Sequence, residues 1–138
     1  MTQINAYLNF DGNCREAMNF YKDCLGGELS LQTVEGSPID NHYAAGIRQN
    51  ILHSSLTRKG LILMGSDMIG PEGLNRGNNI SLSLSCSTEE EINSFFSGLS
   101  AGGKIIEPLG LQFWGAMFGV LRDKFGIQWM LTYDKEIK

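Results

Sequence analysis

Residues 86–105 read CSTEEEINSFFSGLSAGGKI, and residues 10–29 read FDGNCREAMNFYKDCLGGEL. The later segment carries Ile92, Phe95, Phe96 and Leu99, the i, i+3, i+4, i+7 stripe of an amphipathic helix. Thr88 with Glu91 forms a capping-box pattern before the stripe, and Gly102-Gly103 supplies the stop after it. The earlier segment repeats each feature: Asn13 with Glu16, then Ala17, Phe20, Tyr21 and Cys24, then Gly26-Gly27. Each stripe residue recurs 75 positions on, as from Ala17 to Ile92 (92 − 17). One helix has been written twice.

The flanks repeat as well. Before the first helix, Ala6, Leu8 and Phe10 alternate with Asn5, Tyr7 and Asn9; before the second, Ile80, Leu82 and Leu84 alternate with Asn79, Ser81 and Ser83. Both read as half-buried strands, related by an offset of 74 (80 − 6). After each helix comes a further strand, GELSLQTV or GGKIIEPL, and then a hairpin. The last strands, KGLILMGSD (59–67) and FGIQWMLTYD (125–134), place Met64 and Met130 at the same distance beyond Gly60 and Gly126. The pattern predicts an α+β fold of two βαβββ modules in a single domain. Module one covers 1–67, a Gly- and Asn-rich linker 68–78, and module two 79–138. Residues 34–50, VEGSPIDNHYAAGIRQN, form a long irregular stretch that reads as a mobile loop or a lid.

Bulk properties narrow the function classes. The chain has 138 residues, 42% of them apolar, and no apolar run near the roughly 20 residues of a membrane span. Net charge is −4 with Lys and Arg scattered, so neither a nucleic-acid nor a membrane partner is expected. MTQINAYLNF has no basic segment before an apolar one, so no secretory signal is expected there. Cys14, Cys24 and Cys86 are odd in number and form no CxxC, which favours reduced thiols and a cytoplasmic location.

With these pieces in place, the chain resembles the PhnB-like group of the vicinal oxygen chelate superfamily, which includes glyoxalase I, extradiol dioxygenases and the bleomycin- and fosfomycin-resistance proteins. The resemblance runs through YLNFDGNCREAMNFYKDCLGGEL, LHSSL, LMGSD, AGGKI and FWGAMFGVLRDKFGIQWMLTY, nearly the whole chain. It implies curved mixed sheets around a cavity that, in relatives, holds a divalent metal on His, Gln or Glu from the first and last strand of each module. Carried over, those positions fall on Asn5, Met64, Asn79 and Met130. Neutral amides and thioethers are poor ligands for zinc, magnesium or manganese, so no metal and no cofactor are expected. PhnB-like sequences often carry a methyltransferase label, yet no glycine-rich βαβ turn is present to suggest it.

Strand parity extends the expected pocket. If Trp129 and Leu131 face the helices, Gln128, Met130 and Thr132 face the hollow; likewise Leu61 and Leu63 leave Ile62, Met64 and Ser66 on it. Tyr7 and Asn9 join from the first strand, Ile51, His53 and Ser55 from NILHSSL allowing for a bulge, and Trp114 as an aromatic roof. His53 stands in His-x-Ser where PhnB-like relatives often have His-x-Glu, which removes a carboxylate that would orient the imidazole. It is the one weak catalytic candidate; His42 reads as a solvated loop residue. Gly115 and Gly119 suggest a bulge or close backbone approach, Gly60 and Gly126 tight turns, and Asp123 and Asp134 solvated or capping groups.

The expected function is binding of a small, partly apolar molecule in a metal-free cavity. The alternative is a lyase, isomerase or dioxygenase-type enzyme using a divalent metal or His53 as base. Free sheet edges lead to the expectation of a homodimer, with modules paired within one chain or swapped between two.

Overall fold

The computed structural model describes residues 2–37 and 49–134. The segment 38–48, with His42 and most of the irregular stretch, lies outside the described residues. The chain divides between Asn75 and Arg76 into two compact units. In the first, β1 (Ala6–Asn9), α1 (Cys14–Leu25), β2 (Glu28–Thr33), β3 (Ile51–Arg58) and β4 (Leu61–Ser66) form a sheet ordered β1-β4-β3-β2. In the second, β5 (Leu82–Ser85), α2 (Glu89–Ser100), β6 (Lys104–Leu111), β7 (Ala116–Arg122) and β8 (Gln128–Asp134) repeat the order as β5-β8-β7-β6. In each sheet the first and last strands pair parallel and the rest antiparallel. The fold is α+β, with two four-stranded mixed sheets and two helices.

Each helix packs on one face of its own sheet. α1 buries Cys14, Ala17, Met18, Tyr21 and Leu25, so its stripe is turned towards Cys14, Met18 and Leu25, while Phe20 and Cys24 are half-buried. Beneath it lie Ser54, Leu56 and Leu63. α2 buries Ile92, Phe96 and Leu99 over Leu121, Trp129 and Leu131, with Phe95 half-buried. Gly119 sits under this helix: a Cβ there would stand 2.6 Å from Phe96 Cε2. The close approach foreseen for Gly119 is therefore real, whereas Gly115 belongs to the turn before β7 with φ +94.

The two helix starts differ. Thr88 Oγ1 accepts from Glu91 N at 3.0 Å, and Glu91 Oε1 accepts from Ser87 N at 2.9 Å. Asn13, by contrast, makes no side-chain cap; its φ of −112° and ψ of 22° depart from the extended geometry that aims a capping side chain at the helix. Asp67, just past β4, takes over. Its Oδ1 accepts from Gly12 N and Cys14 N, both at 2.9 Å, and its Oδ2 from Ile51 N at 2.7 Å.

The paired glycines after each helix divide the work. Gly26 and Gly102 take φ of +78° and +75°, the left-handed turn that ends a helix. The second glycine lets β2 or β6 start flush against its neighbour: a Cβ at Gly27 would meet the Thr57 carbonyl oxygen at 2.6 Å, and one at Gly103 would run onto the Arg122 carbonyl oxygen.

Register corrects one equivalence. Ala6 stands opposite Leu63 and Leu82 opposite Trp129, so Leu82 rather than Ile80 is the counterpart of Ala6. Ile80 is 75% exposed and precedes the strand. An alternating run has two in-phase readings, and the turn from β5 into α2 selects the later one.

Candidate functional site

The sheet face away from the helix is the open face in each unit. On the first sheet Tyr7, Met64, Ser55 and Ser30 are successive cross-strand neighbours, and His53 stands opposite Gln32. The rings of Tyr7 and His53 lie 6.0 Å apart at 33°. Met64 and Ser55 are half-buried, and Tyr7 and His53 exposed. Asn5 and Asn9 flank this cluster as exposed residues at the two ends of β1. Ile51, expected on the same face, is instead fully buried. A register shift between Gln32 and Thr33 is the bulge that turns it inward.

On the second sheet Met130 lies between Ser83 and Val120. Gln128, one row away, donates from Nε2 to Ser81 Oγ at 2.7 Å and accepts at Oε1 from Arg122 Nη2 at 3.3 Å. Phe118, opposite Thr132, meets the Trp114 ring edge-on at 5.9 Å, and Trp114 in turn meets Phe113 at 5.0 Å. Thus Tyr7, His53, Ser55 and Met64 are gathered on one open face, and Gln128, Met130 and Trp114 on the other. Asn79 is not part of either. It sits in a bend before β5, exposed, and register gives Ser81 as the counterpart of Asn5.

Does this donor set fit a divalent cation? With Asn79 replaced by Ser81, the equivalent positions offer an amide and a thioether in the first unit and a hydroxyl and a thioether in the second, none of them charged. Among the described residues no three of His, Cys, Asp and Glu converge. Uncharged oxygen and thioether donors do not offset the dehydration of a hard divalent ion, so these residues do not fit one.

Two carboxylates are structural. Of the two readings of Asp123, solvated or capping, the second holds: it is 3% exposed, its Oδ1 accepts from the turn amides Phe125 N and Ile127 N, and its Oδ2 from Trp129 Nε1 at 2.8 Å. Asp67 was not singled out from the sequence at all. The thiols are quiet as well: burial pushes Cys14 and Cys86 up from 9.0 to about 11, with Asp67 adding to the effect at Cys14 and Glu91 at Cys86.

A cavity of about 730 Å³ opens elsewhere, at the end of the first sheet between the approach to β1 and the β3–β4 turn, and shares only Asn5 and Ile62 with the residues expected to face the hollow. Its wall includes Ile4, which is fully exposed. A ligand there would lie in a shallow recess, so the half-buried cluster around Met64 is the better candidate.

Comparison with known proteins follows this geometry. The family described as 3-demethylubiquinone-9 3-methyltransferase matches residues 2–132. Protein YjdN of Escherichia coli K12 is 32% identical over 142 residues, covering 96% of each chain. The crystal structure of PA1353 from Pseudomonas aeruginosa is similar with a TM-score of 0.84 and 35% identity, covering 97% of this chain and 98% of that one. A putative 3-demethylubiquinone-9 3-methyltransferase, PhnB protein, from Bacillus cereus gives a TM-score of 0.73 at 30% identity over 96% and 99%. At the level of fold alone, a glyoxalase/bleomycin resistance protein/dioxygenase family enzyme from Burkholderia phytofirmans PsJN superposes with a TM-score of 0.60, 13% identity and coverage of 93% and 96%.

Proposed function

This chain belongs to the PhnB-like 3-demethylubiquinone-9 3-methyltransferase family, within the glyoxalase/bleomycin-resistance superfamily, and on that premise we propose that it binds a small, partly apolar molecule without a divalent metal. The observation that carries this reading is the make-up of the open faces. Met64 with Tyr7, Ser55 and His53, and Met130 with Ser83, Val120 and Gln128, mix polarizable, aromatic and uncharged polar groups in the manner of ligand sites.

Methyl transfer is the less supported reading. A nucleoside-based methyl donor usually rests on a glycine-rich turn and a free helix N-terminus between adjacent parallel strands. Here β1 and β2, which flank α1, are not neighbours, and the amides of Gly12 and Cys14 are taken by Asp67. These residues do not fit such a donor. General-base catalysis at His53 has in its favour only the Tyr7 contact; none of the described side chains orients the imidazole by a hydrogen bond.

Self-association belongs to the same reading. β6 is an edge strand with Lys104–Pro108 exposed, and free edges favour pairing. A cytoplasmic location is also part of it, supported by three cysteines that form no disulfide.

The test is a thermal-shift screen of small molecules on the dialysed protein, with metal analysis of the same sample. We expect hits whose stabilisation falls about ten-fold in affinity in Met64→Ala or Met130→Ala, each truncation removing a large apolar contact. Stoichiometric zinc, nickel, iron or manganese, or hits that ignore both substitutions, would overturn the reading.

A further inference from the structure

The open face of the second sheet holds a guanidinium whose donors are mostly unused. Arg122 is half-buried and stands directly opposite Gln128 on β8 and Lys104 on β6. The Gln128 amide is held by Ser81, which directs its oxygen at Arg122 Nη2. That is the one hydrogen bond its guanidinium makes with the described residues, although the group has five N–H donors. A half-buried donor set left this open is free to take an acceptor from outside the chain.

Lys104 sharpens the point. Like charges directly opposite one another on a sheet face are unfavourable, and neither cation makes an ion pair with the described residues. Glu107, the acidic residue on β6 opposite Val120, makes no ion pair with either of them. Asp123, next to Arg122 in sequence, is buried and already accepts three N–H groups. Lys124 lies over the Phe125 ring. Arg76 packs its side chain on Gly126 in the β7–β8 turn, adding a further cation at this end of the sheet. Cations thus gather at this end of the sheet although the whole chain carries −4.

Moving along β7 from Arg122, the same face passes Val120, beside Met130, and then Phe118, which meets Trp114. Arg122 and Phe118 are four residues apart, about 13 Å at strand rise. We propose that Arg122, aimed by Gln128 and backed by Lys104, is the anchor for the anionic head of a small organic acid, a carboxylate or phosphonate, whose apolar body of up to about 13 Å runs over Met130 towards Phe118. The proposal rests on the small-molecule reading above and names the ligand's chemical class.

Octanoate, octylphosphonate and the neutral octanamide form a matched set of probes for calorimetric titration of the full chain. At least one acid should bind about ten-fold or more tightly than the amide, as expected for charge-assisted hydrogen bonds, and the preferred acid distinguishes carboxylate from phosphonate. Arg122→Gln should remove that advantage, bringing the acid down to the affinity of octanamide. Gln128→Glu, which sets a carboxylate against the guanidinium, should do the same in a chain whose circular dichroism and melting temperature match the wild type; it carries the test if Arg122→Gln does not fold. Equal binding of acid and amide, unaltered by either substitution, would overturn the anchor and leave the small-molecule reading standing. No binding of any probe at millimolar concentration would also overturn the anchor, and an empty general screen in addition would remove the reading beneath it.

Discussion

Single side chains decide local geometry where the repeat is imperfect. Asp67 ties three segments together through the amides of Gly12, Cys14 and Ile51. Replacing it with Ala strands three N–H groups, at least two of them buried, so Asp67→Ala should lower stability by about 2–4 kcal/mol, read as a shift of the urea midpoint. A loss within about 0.5 kcal/mol would mean that water or Asn13 takes over the cap. The Asn13 side-chain oxygen is buried without a hydrogen-bond partner, which shows how far the cap has moved from the position that local pattern assigns it. No rule of spacing along the chain finds Asp67, because it lies 55 residues from Gly12.

At the level of elements, the glycine pairs do what the repeat suggested and more. As helix stops they were legible from Gly26-Gly27 and Gly102-Gly103 alone. That Gly27 and Gly103 also sit against the carbonyls of Thr57 and Arg122 depends on β2 and β6 pairing with β3 and β7. Gly27→Ala and Gly103→Ala should each destabilise by about 1–3 kcal/mol, since backbone oxygen cannot step aside as a flexible side chain can. Gly110→Ala is the control: nothing lies within 4 Å of its added Cβ, so its change should stay within about 0.5 kcal/mol. Similar losses at all three positions would point to backbone entropy instead of a clash. The make-up of the open faces was legible in the same partial way. Alternation put Tyr7, Met64, Gln128 and Met130 on the faces away from the helices, because side-chain direction follows from parity alone. It misplaced Asn79 and Ile51, where a phase choice and a bulge intervene, and it passed over Arg122, whose significance lies in the neighbours that register supplies.

For the molecule as a whole, alkaline stability should report on both units, since each buries one perturbed thiol. Cys14 and Cys86 have folded values of about 11 against an ordinary 9.0, mainly because burial disfavours the thiolate. The folded state therefore holds these protons more tightly than the unfolded one. Their contribution is intact below pH 9, and it is lost progressively as pH rises towards 11. Denaturation midpoints measured from pH 8 to 11 should fall, and the fall should be shallower in Cys14→Ala. An identical slope in wild type and variant would show that this thiol does not titrate as described.

Periodicity and composition by themselves determined the duplicated plan: the α+β class, the two helices and their stops, the cap of α2, the strand order in the chain, and the absence of charged donors at the two methionine positions. These are local properties, set by spacing of 2 or 3.6 residues and by the chemistry of each side chain. Tertiary structure decided the rest. Which phase of an alternating strand is paired, which carboxylate caps α1, and which cation stands beside Gln128 all depend on hydrogen-bond registers between segments tens of residues apart. Such registers are selected by the packing of a whole sheet against its helix, and no window of neighbouring residues contains that information.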